Sequence, residues 1–235
     1  MRRRAFVFLA SGCILLLGFL VGISITFATA GTFFAGVDYT AQSNAVSGYI
    51  PFTNPSTPSS IGTLGFSAEW VMTNSGTGNY VQVGWLKYPS DTSGPQYFFE
   101  YHGGCGSYCR FRYGTINSSD HNYKVQVVTS GTFLNWCGFI DNVQKNCGSS
   151  STIGFSTAPK ATWSGETTNT DAILGGTSAS PVRIYTLTRL NTNGTWTQVN
   201  TNSLGNITTP GTNYHATSGW DTTSYVKNWT EIICC

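Results

Sequence analysis

"VQVGWLKYP", residues Val81 to Pro89, alternates in a way that decides the fold. Val81, Val83 and Trp85 fall on one face and Gln82, Gly84 and Leu86 on the other, which is the two-residue period of a β-strand. The same short alternating or apolar character returns between turn signals in "GYIPF", "GFSAEWVM", "PQYFFEYH", "YKVQVVT", "TFLNWCGFI", "PKATWSGETT" and "PVRIYTLTRL". Helical periodicity is nearly absent after residue 30. The expected fold is all-β, with roughly a dozen strands in two packed antiparallel sheets, a jelly-roll, concanavalin-like sandwich with a concave groove. Within it Gln82 points away from the valines and needs a polar partner.

The first thirty residues stand apart. "MRRR", an apolar run from Ala5 to Phe27 and the triplet Ala28-Thr29-Ala30 have the layout of a secretory signal. Cleavage after Ala30 leaves a single secreted, extracellular domain, residues 31–235, free of the membrane. The alternative is a membrane anchor made by residues 5–27, since that run reaches the ~20 apolar residues a span requires. Cys13 in "ASGC" follows too few apolar residues for lipoprotein acylation and is read as filler.

Removing Arg2, Arg3 and Arg4 from twelve Lys/Arg leaves nine against ten Asp/Glu. No basic field remains for nucleic acid. Seven Trp, twelve Tyr and fourteen Phe argue for a packed protein in spite of the Thr-, Ser-, Asn- and Gly-rich loops. A surface so poor in charge also has few carboxylates to lose in acid. A monomer without cofactor or metal is expected.

Six cysteines follow the signal: Cys105, Cys109, Cys137, Cys147, Cys234 and Cys235. In an oxidising compartment an even count favours disulfides. Cys105 with Cys109 would clip a short loop, and Cys137 with Cys147 brackets "GFIDNVQKN", which has the character of a hairpin turn. All fifteen pairings stay open, and Cys234 and Cys235 are too close for a relaxed bond to each other.

The chemistry concentrates on one polar strand face. "ATWSGETT" places Thr162, Ser164, Glu166 and Thr168 together, opposite Ala161, Trp163, Gly165 and Thr167. If the Gln82 strand lies in the same sheet, a carboxylate and a primary amide converge on one substrate. Glu166 would accept a proton from water while the Gln82 amide donates to an oxyanion on a carbonyl carbon. The plainer alternative makes Gln82 an edge cap and Glu166 a solvated side chain.

Trp70, then "YVQVGW", the aromatic strand "YFFEYHG" and a late "WSGE" resemble the secreted glutamic peptidases, the eqolisins and the neprosin-like proteins. "VSGYIPFTNP" resembles the early strand ending in Pro of the eqolisins, and Gln82 lies 84 positions before Glu166, close to that family's spacing. "HGGCGSYC" and "WSGE" follow "VQVGW" in the order of neprosin-like sequences. The chain departs from those in having Gln82 where they carry Glu, and it leaves no room for their amino-terminal prodomain. The likeness spans about Phe34 to Leu187 through short motifs whose order carries the specificity. It implies a polypeptide substrate and an acid-acting endopeptidase. Glu166 would be the general base and then the acid for the leaving amine, and Gln82 would orient water and stabilise the oxyanion.

Two other readings compete. Glu100 shares a strand face with Phe98 and His102, and "FEY" resembles the nucleophile strand of small jelly-roll xylanases, so Glu100 and Glu166 would form a retaining pair if ~5.5 Å apart. A binding module would instead use Trp85, Tyr97, Tyr101 and Trp163 around a sugar or an extended peptide, with Gln82 and Glu166 only hydrogen-bonding the ligand; in the peptidase reading these aromatics, with Trp70 and Glu100, line the substrate groove. Glu69 in "SAEWV" reads as a strand residue facing solvent. His102, Cys105 and Cys109 have zinc-like spacing without a fourth ligand. His121 beside Asp120, and His215, lack a nucleophile elbow and read as loop histidines. Sequons at Asn117, Asn193, Asn206 and Asn228 mark exposed loops.

Overall fold

The computed structural model describes residues 32–57, 65–103, 108–168, 174–210 and 212–231. The expected signal at residues 1–30, together with Cys105, Cys234 and Cys235, lies outside them. The described residues form fifteen strands, numbered in chain order. One sheet has the order β13 (Gly205–Asn206), β1 (Phe33–Ser43), β10 (Ala158–Thr167), β3 (Ser67–Asn74), β4 (Tyr80–Lys87), β5 (Gln96–His102) and β6 (Tyr108–Thr115). The other runs β14 (Tyr214–Trp220), β15 (Ser224–Thr230), β11 (Val182–Leu190), β2 (Ala45–Ile50), β7 (His121–Ser130), β8 (Phe133–Ile140) and β9 (Val143–Ser149), with β12 (Trp196–Gln198) also paired to β11. Neighbouring strands are antiparallel throughout both sheets. The two sheets form the expected sandwich. A single helical turn, α1 (Ser150–Ile153), follows β9.

Alternation sorts the side chains. Val37, Val71, Val83, Trp85, Phe99 and Trp163 of the first sheet meet Val46, Tyr123, Val125, Ile184 and Val226 of the second in the main core. This corrects the aromatic lining expected for a groove. Trp85 and Trp163 are fully buried between the sheets, and Tyr97 and Tyr101 pack against the same core. The reason is parity: a strand that turns Gln82 outward must turn Trp85 inward, and Trp163 is likewise opposite in sense to Glu166. The indole of Trp163 donates from Nε1 to the Ser47 carbonyl on the facing sheet at 3.0 Å, and Tyr97 Oη bonds His121 Nε2 at 2.9 Å. These residues join the sheets.

Glu69, expected in solvent, is completely buried on this inner face, where Asn228 Nδ2 donates to its Oε2 at 2.7 Å. Asn228 is therefore a core residue of β15, unlike the exposed sequon positions Asn117, Asn193 and Asn206. His121 is buried as well, with Nδ1 against Asp141 at 2.5 Å. Cys137 and Cys147 are register partners on β8 and β9 and form a disulfide. Their hairpin closes on Asp141-Asn142, both at positive φ (50° and 64°), which the tight two-residue turn between Ile140 and Val143 requires. Cys109 is disulfide-bonded.

Candidate active site

The outer face of the first sheet carries a second apolar cluster, Phe66, Ala68, Trp70, Leu86 and Phe98. Polar groups are set into its flank. Gln82 of β4 is the register partner of Glu100 on β5, and Glu100 that of Arg110 on β6, so all three share the outer face. Glu166 of β10 reaches the same face two strands away, with β3 between. Gly84 lets β3 and β4 close up here, since a Cβ on it would stand 2.0 Å from the Glu69 carbonyl oxygen.

The Gln82 amide has a fixed sense. Its Nε2 donates to Glu100 Oε1 at 2.9 Å, and Tyr80 Oη donates to the same oxygen at 2.6 Å. Arg110 Nε donates to Glu100 Oε2 in an ion pair, and its Nη1 donates to Tyr88 Oη at 2.7 Å. The guanidinium also lies over the Phe66 ring at 4.6 Å and the Tyr108 ring at 4.9 Å. An ionised carboxylate only accepts hydrogen bonds, so Glu100 forces the NH₂ side of Gln82 toward itself. The second Nε2 hydrogen is left for another acceptor. With Gln82 and Glu100 only 3 % and 1 % exposed, this chain is rigidly packed.

Glu166 is held differently. Trp70 Nε1 donates to its Oε2 at 2.7 Å, and the side chain keeps 8 % exposure, the most of the three. Burial pushes its carboxyl up to about 7, with the Glu100 charge adding to the rise and the Trp70 bond and the Arg110 charge opposing it. Burial and the neighbouring Glu100 also raise the Tyr80 phenol, which stays protonated. Two carboxylates thus share one face with different roles. Glu100 is saturated by donors, while Glu166 has one indole donor and a raised affinity for a proton.

Of the residues singled out from the sequence, Gln82, Glu100, Glu166 and Trp70 share the outer face, Gln82 bonded to Glu100 and Trp70 to Glu166, whereas Trp85, Tyr97, Tyr101 and Trp163 lie on the inner one. Tyr80, Tyr88 and Arg110 were not foreseen. Tyr80 precedes Gln82 by two and so shares its face, and "CRFRYG" alternates two arginines on one face, yet nothing local says which strand they meet. His102 Nδ1 bonds Asn79 Oδ1 at 3.0 Å and its ring stacks on Tyr80. Because Cys109 is oxidised, the zinc-like grouping lacks a thiolate, and no cluster of three metal-binding side chains occurs among the described residues.

No protein-family profile matches the sequence, and no curated protein does either. Solved structures do match in shape. Scytalido-glutamic peptidase with a peptide-based transition-state analogue aligns at a TM-score of 0.57 and 12 % identity, covering 86 % of this chain and 98 % of the other. SCP-B, a member of the eqolisin family of peptidases in complex with the tripeptide Ala-Ile-His, aligns at 0.54 and 13 % identity over 85 % and 98 %. At such identities the likeness establishes a shared fold.

Proposed function

We propose that the chain is a peptide-bond hydrolase in which Glu166 and Gln82 act on one scissile amide. The observation that carries this reading is the asymmetric pair on one sheet face: a carboxyl with a raised proton affinity and a primary amide locked by Glu100 and Arg110. The overall likeness to peptidase structures supports it at the level of fold. Ionised Glu166 takes a proton from water as the water oxygen bonds to the carbonyl carbon. The second N–H of Gln82 donates to the oxyanion that results. The carbon–nitrogen bond then breaks, and Glu166 returns its proton to the departing amine. Gln82 needs no titration for this work, and Glu100 with Arg110 and Tyr80 acts by keeping its N–H side fixed.

Because Glu166 holds its proton up to about pH 7, its competence as a base falls as pH drops below that point. An activity limb that rises with pH through about 7 is therefore expected, at higher pH than the acid optimum implied by the family resemblance. The test is digestion of a denatured protein by the purified chain from pH 2.5 to 8.5, with the peptides read by mass spectrometry and Glu166→Gln alongside. Cleavage that disappears in a folded Glu166→Gln variant is expected. A folded wild-type protein that cleaves nothing at any pH overturns the reading. One observation favours a glycosidase instead, the electrostatic coupling of Glu100 to Glu166 on a common face. Both Glu100 oxygens are already occupied, which disfavours it as a nucleophile. Xylan and laminarin in the same assay separate the two.

A further inference from the structure

The outer face of the second sheet holds an open cavity of about 540 Å³, lined by Pro51, Asp120, Arg183, Tyr185, Thr186, Thr222 and Thr223. It lies on the opposite sheet from Glu166, and the peptidase reading makes no use of it. Its backbone departs from regular strand geometry. Between Tyr185 and Thr188, β11 carries one more residue than its partner segment Ser47–Tyr49 of β2, so a bulge interrupts the ladder at the cavity wall. Within that bulge Thr186 has φ +54°, a conformation that a β-branched residue adopts only where its surroundings impose it. Its hydroxyl accepts from Thr223 Oγ1 at 3.2 Å, and Thr223 Oγ1 in turn accepts from Gln198 Nε2. The bulge sets Thr186 beside Thr222 and Thr223 of the turn between β14 and β15, so that three threonines border one concavity.

The chemistry of the wall narrows the ligand. Arg183 is already paired, its Nη2 donating to Asp221 Oδ2 at 2.6 Å, so an anion finds no unneutralised cation. A metal ion would face that same guanidinium with only Asp120 and Asp221 near, and Asp120 is engaged by Tyr185 Oη at 2.9 Å. An apolar ligand would strand the hydroxyls of Thr186, Thr222 and Thr223. What fits is an uncharged molecule bearing many hydroxyls, offered carboxylate acceptors, guanidinium and hydroxyl donors, and the edge of an aromatic platform. That platform is ordered in advance: Tyr49 and Tyr185 are register partners whose rings stack at 5.3 Å and 14°, and Tyr225, the partner of Tyr185 on its other side, lies beneath the Arg183 guanidinium at 4.4 Å.

We infer that this cavity is a binding site for a neutral saccharide, separate from the hydrolytic face. A chain carrying both would act on peptide while held to glycan. Titration calorimetry of the purified protein with cellohexaose, laminarihexaose, mannohexaose and chitohexaose, with a heparin hexasaccharide as the anionic control, tests this directly. At least one neutral hexasaccharide is expected to bind, and both Asp120→Ala and Tyr185→Phe to weaken it ~10-fold, the loss typical of a hydrogen bond involving a charged group. Asp120 is exposed, so the first variant stays folded, and its cleavage of peptide should be unchanged. Absence of binding to all four neutral sugars, binding to heparin alone, or affinity indifferent to both substitutions would overturn the inference.

Discussion

Glu69 and Glu166 occupy adjacent positions of one sheet, since Glu69 pairs with Gly165, yet they face opposite ways. Both are driven toward the protonated form by burial, Glu69 up to about 8 and Glu166 up to about 7. Their surroundings differ in kind. Around Glu69 the forces opposing burial are two hydrogen bonds, from Asn228 and the backbone of Gly175, and its Oε1 and the Asn228 Oδ1 are buried acceptors without partners. A proton on Glu69 turns one of those acceptors into a donor, so the neutral acid suits the site. Around Glu166 stand an ionised carboxylate, a guanidinium, an indole donor and an opening to solvent. A raised proton affinity alone marks burial; charged neighbours and access mark chemistry.

Exchanging each glutamate for glutamine separates the two cases most sharply. Glu166→Gln should lower kcat on a peptide substrate by ~10³-fold or more while leaving the melting temperature at pH 5 near that of the wild type. Glu69→Gln should leave kcat within about twofold, because that side chain cannot reach substrate. Next in size, Gln82→Ala should cost ~10²–10³ in kcat with KM nearly unchanged, the mark of a donor used in the transition state. Steady-state kinetics on one fluorogenic peptide measures all three.

The pH dependence of stability sharpens the comparison. Glu69 has a folded-state value near 8 against the ordinary 4.5, so between those pH values the unfolded chain has released a proton that the folded chain retains. Stability is then greatest below about pH 4.5 and declines as pH rises toward 8, by on the order of a few kcal/mol from this group. Urea unfolding at pH 4.5 and 8 should show the decline in the wild type and a reduced one in Glu69→Gln, where Glu166, raised to about 7, still contributes. Equal slopes in the two proteins would remove Glu69 from the account. The smallest effect is expected at Trp70: Trp70→Phe removes a bond that favours ionised Glu166 and should move the midpoint of the pH–activity limb upward by about one unit.

What the sequence made legible follows from parity. "VQVGWL" and "ATWSGETT" each divide into a core face and a polar face, which is enough to send Gln82 and Glu166 outward. The aromatics expected in the groove face the core because position and not residue type sets the side: Trp85 is odd to Gln82, and Trp163 is odd to Glu166. "SAEWVM" poses a harder problem, since its two faces offer Glu69 or Trp70 to the core, and both are in fact buried, one between the sheets and one under the outer cluster. No local pattern distinguishes a sheet covered on one side from one covered on both. Asn228 was within reach, because "SYVKNWT" puts it in phase with the core residue Val226. Arg110 was not, since its role depends on which strand β6 meets across a turn.

The place of β10 in its sheet has a consequence for the chain's life before it is complete. This strand lies between β1 and β3, whereas in sequence it follows them by roughly ninety residues or more, so the sheet's centre is filled by a late-synthesised piece. Pairings so distant in sequence form slowly. Glu166 rides on that piece, and Trp70, which orients it, waits on β3 with an open flank until it docks. On the proposed reading, the emerging polypeptide carries Gln82 and Glu100 on earlier strands before Glu166 is made, so activity would await the docking of β10 between β1 and β3.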